Sequence, residues 1–239
     1  MSLVGDMMKA MKEIASLNDM QSWAVSAARG TSGLIVTPQN RENPPRPDKP
    51  LELYDWEACP FCRKVRDTMT VLDLAYISRP SRGEKTKKVP FLVDPNTNTE
   101  MGESEDIITY LCTTYGPGRS GLGSLLAPAN TAGSMVASGL RGRGRRIRKG
   151  LENREQPQEL LVLYNIEASP YCRKVREVLT ELNLDTLVKN VGKQSARRPE
   201  LVERGGTMMI PYLIDPNHDV EMYQSDDIVD YLEKTYGER

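Results

Sequence analysis

The stretch "EACPFCRKVR" (Glu57–Arg66) places a Cys-Pro-x-Cys motif between the short apolar run "LELY" and a helical pattern. The apolar run has the length of a strand, and Pro60 suits the first position of a helix, where no backbone donor is needed. The same decapeptide returns as "EASPYCRKVR" (Glu167–Arg176) with two substitutions. One of them puts Ser169 where the first copy has Cys59, so only one copy keeps the first cysteine.

The repeat extends well beyond the decapeptide. "LELYDWEACPFCRKVRDTMTVLDL" (51–74) aligns without a gap with "LVLYNIEASPYCRKVREVLTELNL" (161–184), and "VPFLVDPNTNTEMGESEDIITYLCTTYG" (89–116) aligns with "IPYLIDPNHDVEMYQSDDIVDYLEKTYG" (210–237). Between these blocks the second copy is longer, around "SARRPELVERGG". So many shared positions indicate a duplication.

Each copy predicts the order strand, helix, strand, optional helix, strand, strand, helix. In the helix after the motif, apolar residues at helical spacing should face the core, and each "DPN" should form a turn. The last helix should begin at a capping serine and stop at a glycine. The predicted core positions are Val65, Met69, Leu72, Val175, Leu179 and Leu182, and the predicted last helices are Ser104–Tyr115 and Ser225–Tyr236.

Four segments follow from the repeat. We predict an N-terminal extension (1–50), a first domain (51–116), a connector (117–158) and a second domain (159–239). Charge supports this division, because the connector from 117 to 156 has eight basic and two acidic residues while both domains are acidic.

The connector joins an uncharged stretch (122–140) to a basic run (141–149). We favour a linker helix packed between the domains with a solvated basic tail. Weak membrane-surface contact through 122–149 is the alternative. Pro128 and several Gly and Ser residues argue against a transmembrane span.

The composition indicates a soluble protein of a reducing compartment, because four cysteines in 239 residues do not make a disulfide framework. The start of the chain lacks an uninterrupted apolar core, so we expect no secretion, and either the cytoplasm or the plastid stroma. A net charge of −1 also argues against a specific nucleic-acid partner.

Cys59 is the predicted reactive thiol. At a helix N-terminus, with Arg63 and Lys64 one turn along, a cysteine reaches a pKa of about 3.5–7.5 instead of ~8.5. Cys62 is placed to resolve a mixed disulfide. The acidic approach to the motif should oppose the thiolate and keep the depression of the Cys59 pKa modest; it contains Glu52, Asp55 and Glu57.

A zinc site would need a second ligand pair. Cys112 falls late in a helix pattern and His218 lies in the other domain, so we predict no metal. Cys112 is better explained as a buried small hydrophobe.

Together, "CPFC", "KKVPFLVDP" and "GESEDIITYL" resemble the glutaredoxin-like N-terminal domain of glutathione transferases, which has the thioredoxin fold. The resemblance covers about 51–116 and 159–239. Membrane-associated prostaglandin E synthase type 2 carries a similar module with the same motif, and the tandem arrangement resembles plant and algal two-domain proteins. The implied fold class is α/β, with two tandem thioredoxin-like domains, each a four-stranded mixed sheet with flanking helices.

The resemblance also implies a glutathione site in the first domain. The Val89-Pro90 bond should be cis, with the Val89 backbone holding the cysteinyl part of glutathione. The pair Glu103-Ser104 should hold the γ-glutamyl group. For the glycine carboxylate, Lys87 or Lys88 is the nearest basic candidate.

The second domain carries a degenerate version of this site. Its corresponding residues are Ser169, Cys172, Ile210, Pro211, Gln224 and Ser225. Ser169 has no neighbouring base, and serine fills a helix N-cap well. We therefore expect a structural or binding role for this domain.

The leading functional hypothesis is a glutathione-linked thiol–disulfide oxidoreductase. Glutathione is its co-substrate, and protein or small-molecule disulfides are its partners. The alternatives are a glutathione transferase or isomerase that uses Ser169, and a non-enzymatic redox or iron–sulfur module.

Overall fold

Six helices and eight strands make up the described part of the chain in a computed structural model, which covers residues 20, 33–80, 88–118 and 143–237. A short helix precedes the repeats: α1 (Pro38–Glu42). The first repeat contains β1 (Leu51–Tyr54), α2 (Pro60–Val71), β2 (Ala75–Arg79), β3 (Phe91–Asp94), β4 (Thr99–Gly102) and α3 (Ser104–Tyr115). The second contains β5 (Leu161–Asn165), α4 (Pro170–Glu181), β6 (Thr186–Asn190), α5 (Arg198–Gly205), β7 (Tyr212–Asp215), β8 (Val220–Tyr223) and α6 (Ser225–Tyr236).

Each repeat forms a four-stranded mixed sheet, as expected. In the first, β1 pairs parallel with β2 and antiparallel with β3, and β4 adds to β3. The second repeats this arrangement with β5, β6, β7 and β8. The thioredoxin-like fold predicted for both repeats is confirmed.

The two sheets join into one sheet of eight strands, in the order β4-β3-β1-β2-β6-β5-β7-β8. The junction is an antiparallel pairing of β2 with β6. Ile77 lies opposite Leu187, and these residues hold corresponding positions in the two repeats. The repeats are therefore related by a local twofold axis through this pair, which is the geometry of a symmetric dimer interface.

Two helices cover one face of each half of the sheet, and in the second half α5 packs on the opposite face through Leu201. Helix α2 packs against α3, and α4 packs against α6. The core positions predicted from helical spacing are all buried: Val65, Met69, Leu72, Val175, Leu179 and Leu182. The apolar core of the first half also includes Val188 of β6, so the two cores meet at the junction.

The segment before the first repeat is docked on both halves. The Val36 amide donates to the Lys193 carbonyl at 3.1 Å, and the Thr37 amide donates to the Val71 carbonyl at 2.9 Å. The Asn40 side chain donates to the carbonyls of Leu72 (3.1 Å) and Tyr115 (2.7 Å). This part of the predicted extension is thus a component of the folded body.

Four basic residues of the connector are exposed, in keeping with the expected solvated tail, whereas Arg148 is half-buried; the exposed residues are Arg143, Arg145, Arg146 and Lys149. Arg148 pairs with Glu181 at 2.9 Å and with Glu233 at 2.5 Å, which fastens the connector to α4 and α6. The uncharged stretch 122–140 and its predicted helix lie outside the described residues. Within the part that is described, no helix has the length and apolar character needed to cross a membrane.

Candidate functional site

Cys59 occupies the N-cap of α2. Its backbone is extended (φ −70°, ψ 120°), Pro60 opens the helix, and the Cys62 amide donates to the Cys59 Sγ at 3.4 Å. A capping sulfur receives the free N–H groups of the first turn and lies at the positive end of the helix dipole. The predicted placement at a helix N-terminus is therefore observed.

The pKa of Cys59 is lowered to about 6. The main cause is a hydrogen bond from the Cys62 thiol, followed by donation from the backbone amides of Cys62 and Phe61 and by the charge of Arg66; burial opposes these effects. Burial raises the pKa of Cys62 well above its usual range, so Cys62 remains a protonated donor at neutral pH.

Exposure also separates the cysteines, all four of which lie in the described part of the chain. Cys59 is partly exposed, whereas Cys62, Cys112 and Cys172 are buried, and all four are free thiols. Cys112 packs in the apolar core of the first half, as expected. A reagent in solution can reach the Cys59 sulfur alone among them.

We expected the acidic residues before Cys59 to oppose formation of its thiolate. They do not, because each of them is paired with an arginine. Glu52 accepts two hydrogen bonds from Arg79, at 2.7 and 3.0 Å. Asp55 accepts from Arg66 at 2.5 Å, and Glu57 lies 2.9 Å from the same guanidinium. Neighbouring guanidinium groups thus compensate these carboxylates, of which Asp55 and Glu57 are buried, and the Cys59 pKa falls further than expected, to about 6.

The cation acting on Cys59 also differs from the expected Arg63 and Lys64. Lys64 pairs with Glu105 at 2.7 Å, and Arg63 is buried beside Glu57. The largest charge contribution to the lowered Cys59 pKa comes from Arg66, after the hydrogen bonds from Cys62 and Phe61. Sequence reasoning missed it, although its repetition as Arg176 was a signal.

Arg66 and Arg176 form a buried ion network with Glu57 and Glu167 at the junction of the halves. Arg66 bonds Glu167 through Nε (3.1 Å) and Nη2 (3.3 Å), and Arg176 bonds Glu57 through Nε (2.9 Å) and Nη2 (3.3 Å). Each arginine therefore reaches the glutamate of the other repeat, in keeping with the twofold axis.

The strand register brings the other predicted site residues to the same end of the sheet as Cys59. Phe91 lies opposite Tyr54 of β1 on one side and opposite Gly102 of β4 on the other. Val89-Pro90, which directly precedes Phe91, is a cis peptide, as the resemblance implies. Glu103, which directly follows Gly102, comes to the same edge.

At the start of α3 the structure corrects one expectation. Ser104 is the buried first residue of the helix and not its cap; Glu103 holds the N-cap position and makes no side-chain capping bond. Glu103 also has a φ of 63°, a left-handed conformation that is strained for a residue other than glycine. The first-turn N–H groups of α3 thus receive no side-chain cap. Of the two lysine candidates, Lys88 is exposed and Lys87 lies outside the described residues.

The second half repeats this arrangement around a hydroxyl. Ser169 is the N-cap of α4 and accepts from the Cys172 amide at 3.3 Å, so its expected capping role is observed. Ile210-Pro211 is cis, and Gln224 has a φ of 68° before a buried Ser225. The pKa of the buried Cys172 is raised by burial.

In the described ranges, no group of three or more His, Cys, Asp or Glu side chains is arranged to hold a metal ion. The profile of one protein family, described as glutathione S-transferase, N-terminal domain, matches residues 53–120 and again 163–239. A search of curated proteins finds no significant match.

Proposed function

Since the chain belongs to the family of glutathione S-transferase N-terminal domains, we propose that it is a glutathione-linked thiol–disulfide oxidoreductase. The family match supports a glutathione-related function. The observation that carries the finer proposal is the partly exposed Cys59 thiol at the start of α2, with its pKa lowered to about 6. At neutral pH this sulfur is a thiolate, the form that attacks disulfides.

The reaction proceeds by two exchanges. The Cys59 thiolate attacks the glutathione sulfur of a mixed disulfide, a new S–S bond forms as the old one breaks, and the substrate leaves as a thiolate that takes a proton from solvent. A second glutathione thiolate then attacks the Cys59-bound glutathione. Glutathione disulfide leaves and the Cys59 thiolate is restored, so glutathione is oxidised and the substrate is reduced.

The setting of Cys62 favours release by glutathione over release by Cys62 itself. Cys62 is buried, and its raised pKa leaves little thiolate at neutral pH. Its thiol instead donates to the Cys59 sulfur and stabilises the thiolate. The role we assign to Cys62 is therefore that of a hydrogen-bond donor that tunes the nucleophile.

The edge beside Cys59 supports a glutathione cradle. Val89 lies two residues before Phe91, which pairs with Tyr54 of β1, and we assign its backbone the role of pairing with the cysteinyl part of glutathione. The uncapped first turn of α3 suits the γ-glutamyl carboxylate, and the Glu103 carboxylate suits the γ-glutamyl ammonium. Both contacts belong to the proposal.

The test is the rate of glutathione-dependent reduction of a small glutathione mixed disulfide. We expect Cys59→Ser to abolish activity and Cys62→Ala to retain a substantial part of it, with a lower rate at acidic pH because the thiolate loses the donor that the Cys62 thiol supplied. Cys172→Ala is the matched control, since it makes the same change at the corresponding buried position of the second half. Absence of activity in the wild type, or activity that survives Cys59→Ser, would contradict the proposal.

A further inference from the structure

The second repeat keeps most of the motif although it lacks the reactive cysteine. The two decapeptides share Glu57 with Glu167 and Arg66 with Arg176. A serine-capped helix alone needs neither residue. The ion network at the junction accounts for both, because each arginine pairs with a glutamate of the other repeat.

Arg66 is the link between this network and the loop that carries Cys59. Its Nη1 donates to the Trp56 carbonyl at 3.1 Å and its Nη2 donates to the Glu57 carbonyl at 3.0 Å. The Trp56 carbonyl also accepts the Cys59 amide at 3.1 Å. The guanidinium therefore clamps the turn that places the Cys59 sulfur at the start of α2.

Glu167 fixes that guanidinium from the opposite side. Its carboxylate is fully buried and binds Nε and Nη2 of Arg66 through its two oxygens, which is the most directional geometry for an arginine–carboxylate pair. Five charged or titratable side chains face Arg66. Asp55, Glu57 and Tyr76 belong to its own half, and Glu167 and Arg176 belong to the other half.

We propose that Glu167 of the second repeat is a positioning residue for the Cys59 thiol of the first, acting through Arg66 and the loop carbonyls that Arg66 clamps. The proposal rests on Cys59 being the reactive group of the proposed function. It gives the serine-containing repeat a definite task, because Glu167 completes the setting of a thiol that this repeat does not itself carry.

The test is the pH profile of alkylation of the full-length chain by iodoacetamide, with the modified cysteine identified by mass. Glu167→Asp keeps the negative charge and withdraws the carboxylate by one methylene. We expect the midpoint of Cys59 alkylation to rise by about 0.5–1 unit, since Arg66 loses the two-point contact with Glu167 that fixes its orientation toward the loop. Glu200→Asp is the matched control, because Glu200 lies in the same repeat and pairs with Lys189; we expect no shift there.

Glu167→Ala distinguishes a positioning role from a direct electrostatic effect of the Glu167 charge, because the two shift the alkylation midpoint of Cys59 in opposite directions. Loss of a negative charge by itself favours the thiolate and lowers the midpoint, whereas release of Arg66 raises it. We expect a rise. An unchanged or lowered midpoint in either folded variant overturns the proposal, and Glu167→Asp alone decides if the alanine variant does not fold. A wild-type midpoint near the ordinary ~8.5 would instead count against Cys59 as the nucleophile of the proposed function. This outcome does not depend on the comparison of wild type with the Glu167 variants.

Discussion

In each half of the sheet, one buried aspartate at the end of a strand accepts hydrogen bonds from tyrosines of the last helix. Asp94 is buried at the end of β3 and accepts from the hydroxyls of Tyr110 (2.7 Å) and Tyr115 (2.5 Å) and from the amide and side chain of Asn96 (both 2.9 Å). Asp215 repeats this in the second half. Burial raises the pKa of Asp215, but the hydrogen bonds outweigh it and bring the value to about 2.

We predict that Asp94→Asn and Asp215→Asn each lower the free energy of unfolding by about 2–3 kcal/mol, because an amide NH₂ then faces hydroxyl donors. A carboxylate whose folded pKa is depressed stabilises the fold above its unfolded pKa of ~3.9 and loses that contribution as pH falls through the folded value. For Asp215 the loss falls between about pH 4 and pH 2.

Urea unfolding at pH 7 and pH 3 measures both effects. Asp106→Asn is the control, since Asp106 is exposed on α3 and should change stability by less than about 0.5 kcal/mol. Wild-type stability in either asparagine variant would show that the carboxylate is not the acceptor that matters.

At the scale of the element, the N-terminal end of a helix sets the reactivity of a cysteine placed there. α2 and α4 begin with nearly the same backbone, φ −70° and ψ 120° at Cys59 and φ −70° and ψ 124° at Ser169. Both have a buried cysteine three residues later whose amide donates to the capping atom. The second helix therefore retains the surroundings that activate the first thiol.

Ser169→Cys should accordingly create a second reactive thiol. We predict two labelled cysteines per chain instead of one, with a midpoint for the introduced thiol clearly below the ordinary ~8.5, because the helix N-terminus and the Cys172 thiol favour the anion. Adding Cys172→Ala, which removes the thiol donor, should raise that midpoint. Labelling at an ordinary cysteine pKa would mean that the helix start alone does not activate the sulfur.

The elements themselves were predictable because their signals are local. Strand runs, the apolar face of α2 and the bounds of α3 and α6 follow from periodicity and from the closing glycines, and the structure reproduces them. The cap of α3 was misplaced by one residue, because a serine before acids is the usual N-cap pattern. The left-handed backbone of Glu103 that moves the cap leaves no mark in composition.

At the scale of the whole molecule, the junction of β2 with β6 makes one cooperative body of two repeats. The pairing is continuous from Ala75 to Ser78, and the ion network lies beside it. The periodicity of a sequence does not identify which strand edge pairs with another repeat. Glu167, the partner of Arg66 in the second repeat, lies 101 residues away along the chain. The joined sheet and the paired acids were therefore beyond sequence reasoning, whereas each repeat was not.

We predict that a core truncation in either repeat destabilises both. Leu213→Ala in β7 should cost about 2–5 kcal/mol, as expected for a fully buried leucine. Hydrogen exchange should then show the amides of β1 losing the same protection as those of β5. Leu92→Ala, the corresponding change in β3, is the reciprocal test. Unaltered exchange in the unmutated repeat would indicate two independent folding units.

The twofold axis through Ile77 and Leu187 has a consequence for how the two halves can diverge. In an assembly of two identical chains, every substitution appears twice, and loss of a thiol would silence both sides together. Two linked copies remove that constraint. Under the proposed function, one side has given up its thiol chemistry while the other keeps it. A protein with the symmetry of a pair would then have one reactive centre per chain.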